Sequence, residues 1–187
     1  VQDDFLQVYG GGTYNSLKKA VGAITGTGKI IVYRDGKVSS TSTIPSSKNI
    51  TLDLHGNKIT STVPITNEGT LTIIDDGEVT ENGKTGKIEN TVSNVIENKK
   101  TLVIDDGIFE STSGDIIRQN TSNTNTTING GTFNSKSGNN NYVVYISYGN
   151  IDIEGGTFDS KAFNTLYINS GTNTIKNATV KNGYSKS

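Results

Sequence analysis

The chain has 187 residues, and its 17 basic and 18 acidic side chains give a formal net charge of −1. This balance excludes the strongly basic surface that nucleic acids and anionic membranes attract. Cysteine is absent, which excludes disulfides and thiolate metal sites. No apolar run is long enough to cross a bilayer, so we expect neither a nucleic-acid partner nor membrane insertion.

The N-terminal part of the chain predicts a polar lead followed by a helix. The lead covers 1–12, and the helical region covers 13–28. Four apolar residues of this region have the i, i+3, i+4, i+7 spacing of one helix face. They are Leu17, Ala20, Val21 and Ile24. A short amphipathic helix before a stack of strands would cover its open apolar end, so we expect a capping role.

The rest of the chain repeats one six-position pattern, in which an apolar residue leads, turn residues follow, and an apolar or aromatic residue closes. Its clearest copies are 153–158 and 128–133, with further copies at 104–109 and 74–79. The leading residues lie at 33, 54, 74, 104, 128, 153 and 175, so the steps vary between 20 and 30 residues. Such periods are typical of a solenoid.

Each period holds short strands and turns. A second apolar group precedes each later copy of the pattern, and no period has room for a crossover helix. We therefore predict an all-β coil of about seven rungs over 29–182, with a tail at 183–187 and a continuation in a longer protein. Asn67 and Asn98 occupy equivalent turn positions, where stacked amides would bond along the coil.

Three stretches carry a resemblance to a known superfamily. They are Ser16-Leu17-Lys18-Lys19-Ala20-Val21, Gly28-Lys29-Ile30-Ile31-Val32 and the segment 49–59, which reads NITLDLHGNKI. Together they resemble the opening of right-handed parallel β-helix proteins of the pectate-lyase-like superfamily. The resemblance implies a right-handed coil of three sheets with a capping helix. That superfamily includes lyases, hydrolases, phage tailspikes, adhesins and surface proteins, so the resemblance leaves the function open.

Four tyrosines form the candidate ligand-binding site. Tyr145 and Tyr167 precede equivalent apolar positions and should stack on the outer face of the coil, with Tyr142 and Tyr148 nearby. Exposed aromatic rings suit the apolar face of a sugar ring, while neighbouring Asn and Ser supply hydrogen bonds. The alternative is a cross-strand aromatic pair that only stabilises the sheet.

Four aspartates form a candidate calcium site. Asp75 and Asp76 follow one leading residue, and Asp105 and Asp106 follow the next. If these positions share a register, their carboxylates repel one another unless a cation such as Ca²⁺ neutralises them. The alternative is that aspartate is a turn former whose side chain bonds the local backbone.

Catalysis has weaker support in the sequence. The superfamily's lyases place Ca²⁺-binding Asp residues beside an Arg or Lys base, and only Arg118, soon after Asp105 and Asp106, suggests such an arrangement. Its hydrolases need paired acids, a role open to Asp75 with Asp105. No catalytic motif of the family matches residue by residue, so we assign no catalytic residue.

These observations favour a non-catalytic, extracellular or cell-surface module of the adhesin type. Zero Cys, Met and Trp with abundant Thr and Asn is similar to exported surface domains of Gram-positive bacteria. The expected partner is a polysaccharide, or a host glycan or protein, with no required cofactor and with calcium possible. The alternatives are a polysaccharide lyase or glycoside hydrolase, and a structural stalk or spacer.

Overall fold

The computed structural model describes residues 3–77, 85–136, 141–161 and 164–182, so the predicted tail lies outside the described residues. The chain forms one short helix and 22 short strands in this part. The helix α1 is Leu17–Ala23. The strands are β1 Leu6–Val8, β2 Thr13–Tyr14, β3 Thr27–Val32, β4 Gly36–Val38, β5 Ser42–Ile44, β6 Asn49–Asp53, β7 Lys58–Ser61, β8 Ile65–Asn67, β9 Thr70–Ile74, β10 Lys87–Asn90, β11 Ile96–Asn98, β12 Thr101–Ile104, β13 Ile108–Ser111, β14 Ile117–Gln119, β15 Asn125–Ile128, β16 Thr132–Ser135, β17 Tyr142–Ile146, β18 Asn150–Ile153, β19 Thr157–Ser160, β20 Asn164–Ile168, β21 Asn173–Ile175 and β22 Thr179–Asn182.

The strands build a parallel β-solenoid with three sheets. The nine-stranded sheet has the order β2-β1-β3-β6-β9-β12-β15-β18-β21, the seven-stranded sheet β22-β19-β16-β13-β10-β7-β4, and the six-stranded sheet β20-β17-β14-β11-β8-β5. Each turn of the coil adds one strand to each sheet, and every pairing from β3 onwards is parallel. The solenoid predicted from the repeat is confirmed, with about six turns instead of seven.

The N-terminal end of the coil is covered. Leu17, Ala20 and Val21 of α1 are buried, and the helix packs against β1, β2 and β5. The predicted lead also contributes, because β1 pairs antiparallel with both β2 and β3. Phe5 beside β1 is fully buried against the backbone of Gly36. An antiparallel pair and a helix thus close this end of the sheets, as the helix prediction expected.

Equivalent apolar residues stack in columns inside the coil. Phe109, Phe133 and Phe158 pair in register, and their rings stack with centroids 4.9 and 4.8 Å apart. The glycine two residues before each ring has a positive φ, 100° at Gly131 and 105° at Gly156. A Cβ on Gly131 would approach the carbonyl oxygen of the glycine on the preceding turn to 3.0 Å. The repeated glycine therefore allows consecutive turns to approach closely.

A buried amide ladder runs beneath the six-stranded sheet. Asn67 Nδ2 donates to Asn98 Oδ1 at 2.9 Å, and Asn98 Nδ2 donates to Gln119 Oε1 at 3.2 Å. Asn98 Nδ2 also donates to the hydroxyl of Thr126 and to the carbonyl of Asn125. These contacts satisfy amides that would otherwise be costly to bury. The predicted stacking of Asn67 and Asn98 is confirmed, and it extends to Gln119.

The register of the repeat shifts by one residue on β9, at the leading residue predicted at position 74. Ile73, not Ile74, pairs with Ile104 on one side and with Leu52 on the other. Ile73 is fully buried, whereas Ile74 is half-buried and lies beside the position of Asp105. The prediction that residue 74 shares the register of residue 104 is therefore wrong by one residue. Two adjacent isoleucines made the inward position ambiguous.

Candidate functional site

Three of the four predicted tyrosines form a cluster on the outer face of the six-stranded sheet, here called the tyrosine cluster and consisting of Tyr142, Tyr145 and Tyr167. Tyr145 on β17 pairs in register with Tyr167 on β20. Their rings stack with centroids 4.7 Å apart and planes 7° from parallel. Tyr142 lies tilted against both, at 5.4 and 5.3 Å between centroids. All three side chains remain partly exposed.

Arg118 extends this stack along the coil. It lies on β14, pairs in register with Tyr145, and places its guanidinium carbon 4.5 Å from the centroid of the Tyr145 ring. Its Nη1 donates to Asp115 Oδ2 at 2.7 Å. The other oxygen of Asp115 accepts the backbone N–H of Tyr142 at 2.7 Å. Asp115 is 2% exposed and therefore orients both Arg118 and the start of β17.

The strand order decides which ring faces are open. Tyr145 lies between Arg118 and Tyr167, so both faces of its ring are covered. Tyr167 stacks on Tyr145 with one face, and its strand β20 is the last of the sheet within the described residues. The three rings touch one another, so they leave no space between them for a cation, unlike an aromatic cage. Contact with a ligand is possible at Tyr142 and at the three hydroxyls.

Tyr148 is separate from the tyrosine cluster. It follows the end of β17, and its side chain is 55% exposed. Its carbonyl oxygen accepts a hydrogen bond from Gln119 Nε2 at 2.7 Å, so its backbone belongs to the end of the amide ladder. The structure thus brings together Tyr142, Tyr145 and Tyr167, and leaves Tyr148 apart as a single exposed ring.

The four candidate calcium ligands lie at neighbouring turns of the nine-stranded sheet and line one shallow depression. Asp75 uses both carboxylate oxygens on backbone amides, accepting from Gly56 at 2.7 Å and from Gly86 at 2.6 Å. Asp106 accepts from the N–H of Gly107 at 2.7 Å. These contacts match the turn-forming alternative, in which aspartate satisfies local backbone donors.

Asp105 and Asp76 have different surroundings from these two. Asp105 accepts a hydrogen bond from Asn129 Nδ2 at 2.6 Å on the next turn. Asp76 is 75% exposed, and its Oδ2 lies 3.9 Å from Lys29 Nζ. Because of the register shift, Asp75 does not stack on Asp105. Within the ranges that the structure describes, no group of three or more His, Cys, Asp or Glu side chains is arranged to hold a metal ion.

The residues suggested for a lyase site lie on different sheets. Asp105 and Asp106 follow β12 of the nine-stranded sheet, whereas Arg118 lies on β14 of the six-stranded sheet. The guanidinium of Arg118 is paired with Asp115 and stacked on Tyr145. Arg118 is therefore part of the tyrosine cluster's surroundings and not of the aspartate depression.

Sequence reasoning missed two buried acids that position their neighbours. Asp115 is one. The other is Asp53, 2% exposed, which bonds Lys29 Nζ at 2.8 Å and accepts the backbone N–H groups of His55 and Asp76. The spacing of Asp115 three residues before Arg118 was a usable signal for an ion pair. For Asp53 no comparable signal existed, since its partners come from three different turns.

The seven-stranded sheet carries a row of ion pairs on its outer face. Glu110 Oε2 accepts from Lys87 Nζ at 2.9 Å and from Lys136 Nζ at 2.8 Å. Burial raises the pKa of Glu110, but the hydrogen bonds and charges of Lys136 and Lys87 together outweigh it, so the pKa lies below its usual value. Glu89 on the preceding turn pairs with Lys58 at 3.3 Å. Glu110 thus bridges two lysines and Glu89 pairs with one, so both acids are neutralised within this sheet.

Comparison of the chain with protein-family models, with curated proteins and with solved structures finds no match. In the part of the chain that the structure describes, no helix has the length and apolar character needed to cross a membrane.

Proposed function

We propose that this β-solenoid is a non-catalytic binding module that recognises glycans through the tyrosine cluster. The observation that carries the proposal is the meeting of three partly exposed tyrosines and one arginine on a single outer sheet face. Aromatic rings and phenol hydroxyls supply both apolar contact and hydrogen bonds to a sugar. Arg118 remains 38% exposed and has further N–H donors beyond the one that Asp115 uses.

The setting of the cluster supports a binding surface more than a reaction centre. The cluster lies on regular strands, which hold side chains more rigidly than loops do. Its one charged neighbour in direct ring contact, Arg118, is already paired with a buried carboxylate. A general base needs a group free to take a proton, and the guanidinium of Arg118 is held by Asp115 and stacked on Tyr145. We therefore place the lyase or hydrolase reading second.

The wider assignment follows from the same proposal. A module of this kind belongs on an exported or cell-surface protein, and the resemblance to pectate-lyase-like β-helices supports an adhesin-like member with a host glycan or protein as partner. No cofactor is required by this mode of binding. Calcium at Asp76 and Asp105 would be accessory, since Asp75 and Asp106 already bond backbone amides.

The test is binding of the 187-residue chain to a broad glycan array, with calcium and with chelator. We expect binding that is lost in the double variant Tyr145→Ala/Tyr167→Ala and kept in Tyr9→Ala, a tyrosine 75% exposed at the N-terminal end. Tyr145→Phe/Tyr167→Phe keeps the ring stack and shows whether the hydroxyls are needed. Absence of binding to any glycan would leave the structural stalk or a protein-binding face as the function. A loss of binding on chelation would show that the candidate calcium-binding aspartates take part in glycan binding.

A further inference from the structure

Arg118 keeps most of its hydrogen-bond donors available beside the tyrosine cluster. A guanidinium carries five N–H groups in one plane. One of them, on Nη1, donates to Asp115 Oδ2 at 2.7 Å, which is the single hydrogen bond of this side chain among the residues that the structure describes. Over the same residues, Ser135 Oγ is the one buried side-chain nitrogen or oxygen without a partner. Nε and Nη2 of Arg118 therefore reach the surface, in a side chain that is 38% exposed.

Two contacts fix the direction of this guanidinium. Asp115 is 2% exposed, and its other oxygen accepts the backbone N–H of Tyr142, so the carboxylate that holds Arg118 is itself anchored. Tyr145 covers one face of the guanidinium, with the guanidinium carbon 4.5 Å from the ring centroid. A ligand at the cluster therefore meets the N–H edge of Arg118. Because these donors are already oriented, little conformational freedom is lost when a ligand binds them.

The neighbour of Arg118 on the preceding turn does not use these donors. Glu97 on β11 pairs with Arg118 in register, but its Oε1 accepts from Asn94 Nδ2 at 3.2 Å. In the described ranges, Asp115 is the one carboxylate within ion-pair distance of Arg118. The free edge of the guanidinium is therefore left for a ligand from outside the chain.

We propose that Arg118 determines the specificity of this site and selects glycans that carry two adjacent free hydroxyls on one sugar ring, an inference that rests on the proposed function. Two N–H groups on one edge of a guanidinium form a rigid fork, so they pair with two neighbouring acceptor oxygens. Adjacent ring hydroxyls offer such a pair, whereas an isolated hydroxyl occupies only one donor. A site built on hydrogen bonds discriminates against a ligand that leaves its donors unpaired. Asp115 acts through Arg118 and is therefore a positioning residue.

The linkage of a glycan decides whether it carries this pair. In a 1,4-linked glucose chain every internal residue keeps free hydroxyls on C2 and C3, which are adjacent. In a 1,3-linked chain an internal residue keeps the hydroxyls on C2 and C4, which are not adjacent. β-1,4-linked and β-1,3-linked gluco-oligosaccharides therefore share their sugar, their anomeric configuration and their lack of charge, and they differ in the hydroxyl pair.

The experiment measures binding of the 187-residue chain to two copies of a glycan array that includes both gluco-oligosaccharides. One copy is treated with periodate, which cleaves the carbon–carbon bond between adjacent hydroxyl-bearing carbons. On the untreated copy we expect glycans with the internal hydroxyl pair to bind at least about tenfold more tightly than glycans without it. On the treated copy this binding should be lost.

Two matched arginine variants test the role of the fork. Arg118→Lys keeps the positive charge but replaces the planar fork by one ammonium group, so the preference should fall to within about twofold. The control is Arg34→Lys, because Arg34 is also exposed, lies over the Tyr33 ring at 5.1 Å and has Asp3 at 3.7 Å, but belongs to the N-terminal end of the coil. Arg34→Lys should keep the preference. Thermal unfolding shows whether both variants remain folded; a purely structural role of Arg118 would weaken binding of all glycans equally.

The outcomes separate this specificity from the proposed function. Binding that survives periodate, or equal binding of glycans with and without the hydroxyl pair, would keep the glycan-binding function and overturn the specificity. A preference that is unchanged in Arg118→Lys would overturn the role of Arg118, since another residue would then recognise the hydroxyl pair. No binding to any array glycan would overturn the function and the specificity together.

Discussion

The two sides of the six-stranded sheet show how differently the same strands are constrained. On the inner side, Asn67, Asn98 and Gln119 repeat one chemistry, because each buried amide must bond the amide on the next turn. On the outer side, the adjacent positions hold Glu97, Arg118, Tyr145 and Tyr167, four side chains of three chemical types. Burial dictates the inner column, and solvent leaves the outer column free for recognition. Substitutions in the inner column should therefore mainly lower stability, whereas substitutions in the outer column should mainly change binding.

The largest loss of stability should come from Asn98→Ala. This change removes the acceptor for Asn67 Nδ2 and the donor to Gln119, Thr126 and the carbonyl of Asn125. Four hydrogen bonds among buried groups are then lost, although Asn67 Nδ2 keeps the carbonyl of Thr101 and Gln119 Oε1 keeps the hydroxyl of Thr126. We expect a loss of about 3 kcal/mol in the free energy of unfolding. Urea unfolding followed by circular dichroism measures it.

The matched control for Asn98 is Asn129→Ala, an exposed asparagine whose amide bonds Asp105 at 2.6 Å. We expect a loss below about 0.5 kcal/mol, as for most surface substitutions. Similar losses in the two variants would mean that burial does not distinguish the inner column from an outer one.

Asp115→Ala should have the next largest effect, because Asp115 connects the inner backbone to the outer column. Without its carboxylate, the N–H of Tyr142 and the guanidinium of Arg118 both lose a buried partner. We expect a loss of about 2 kcal/mol in stability, with a change in the near-UV circular dichroism of the tyrosines. Asp115→Asn keeps an acceptor oxygen and should lose less; equal losses would show that a neutral amide oxygen cannot replace the carboxylate at either contact.

Much of the fold follows from the sequence because burial repeats on every turn. The glycines of the 128–133 and 153–158 copies and the phenylalanines that close them mark the turn and the core directly. The helix cap also follows from its apolar spacing. The predicted register is wrong at Ile73 and Ile74, because the sequence does not show which of two adjacent isoleucines points inward. Period alone therefore misplaced Asp75 by one position.

The candidate site was predictable only in part. Stacking of Tyr145 on Tyr167 follows from their equivalent positions, and it is confirmed. The sequence could not indicate the tilt of Tyr142 against both rings, because Tyr142 pairs with Asn164 and has no equivalent ring on the next turn. Nor could it place Asp115 beneath Tyr142, since their contact joins consecutive turns through a backbone N–H. Sugar binding at these residues remains a prediction.

Glu110→Gln tests how much the ion pairs on the outer face of the seven-stranded sheet contribute to stability. Glu110 holds Lys87 and Lys136, and its pKa in the folded chain lies below that of the unfolded chain. The contribution of Glu110 to the free energy of unfolding is therefore complete above the pKa of the unfolded chain, about 4.3, and is lost as the pH falls through the pKa of the folded chain. We expect the variant to lose about 1 kcal/mol at neutral pH and to approach the original chain in stability at low pH. A loss independent of pH would contradict the ion-pair explanation.

The smallest expected difference in stability is between Tyr145→Ala and Tyr167→Ala, which change two rings of the same stack. Tyr145 contacts Arg118, Tyr142 and Tyr167, whereas the ring contacts of Tyr167 are with Tyr142 and Tyr145. Because each such pair contributes a few tenths to about 1 kcal/mol, Tyr145→Ala should cost about 0.5 kcal/mol more stability than Tyr167→Ala. Glycan binding should respond in the reverse order, since both faces of the Tyr145 ring are already covered. Thermal unfolding and calorimetric titration of the two variants measure both orders. If Tyr145→Ala weakens binding more than Tyr167→Ala without any larger loss of stability, the covered ring of Tyr145 is itself a contact residue.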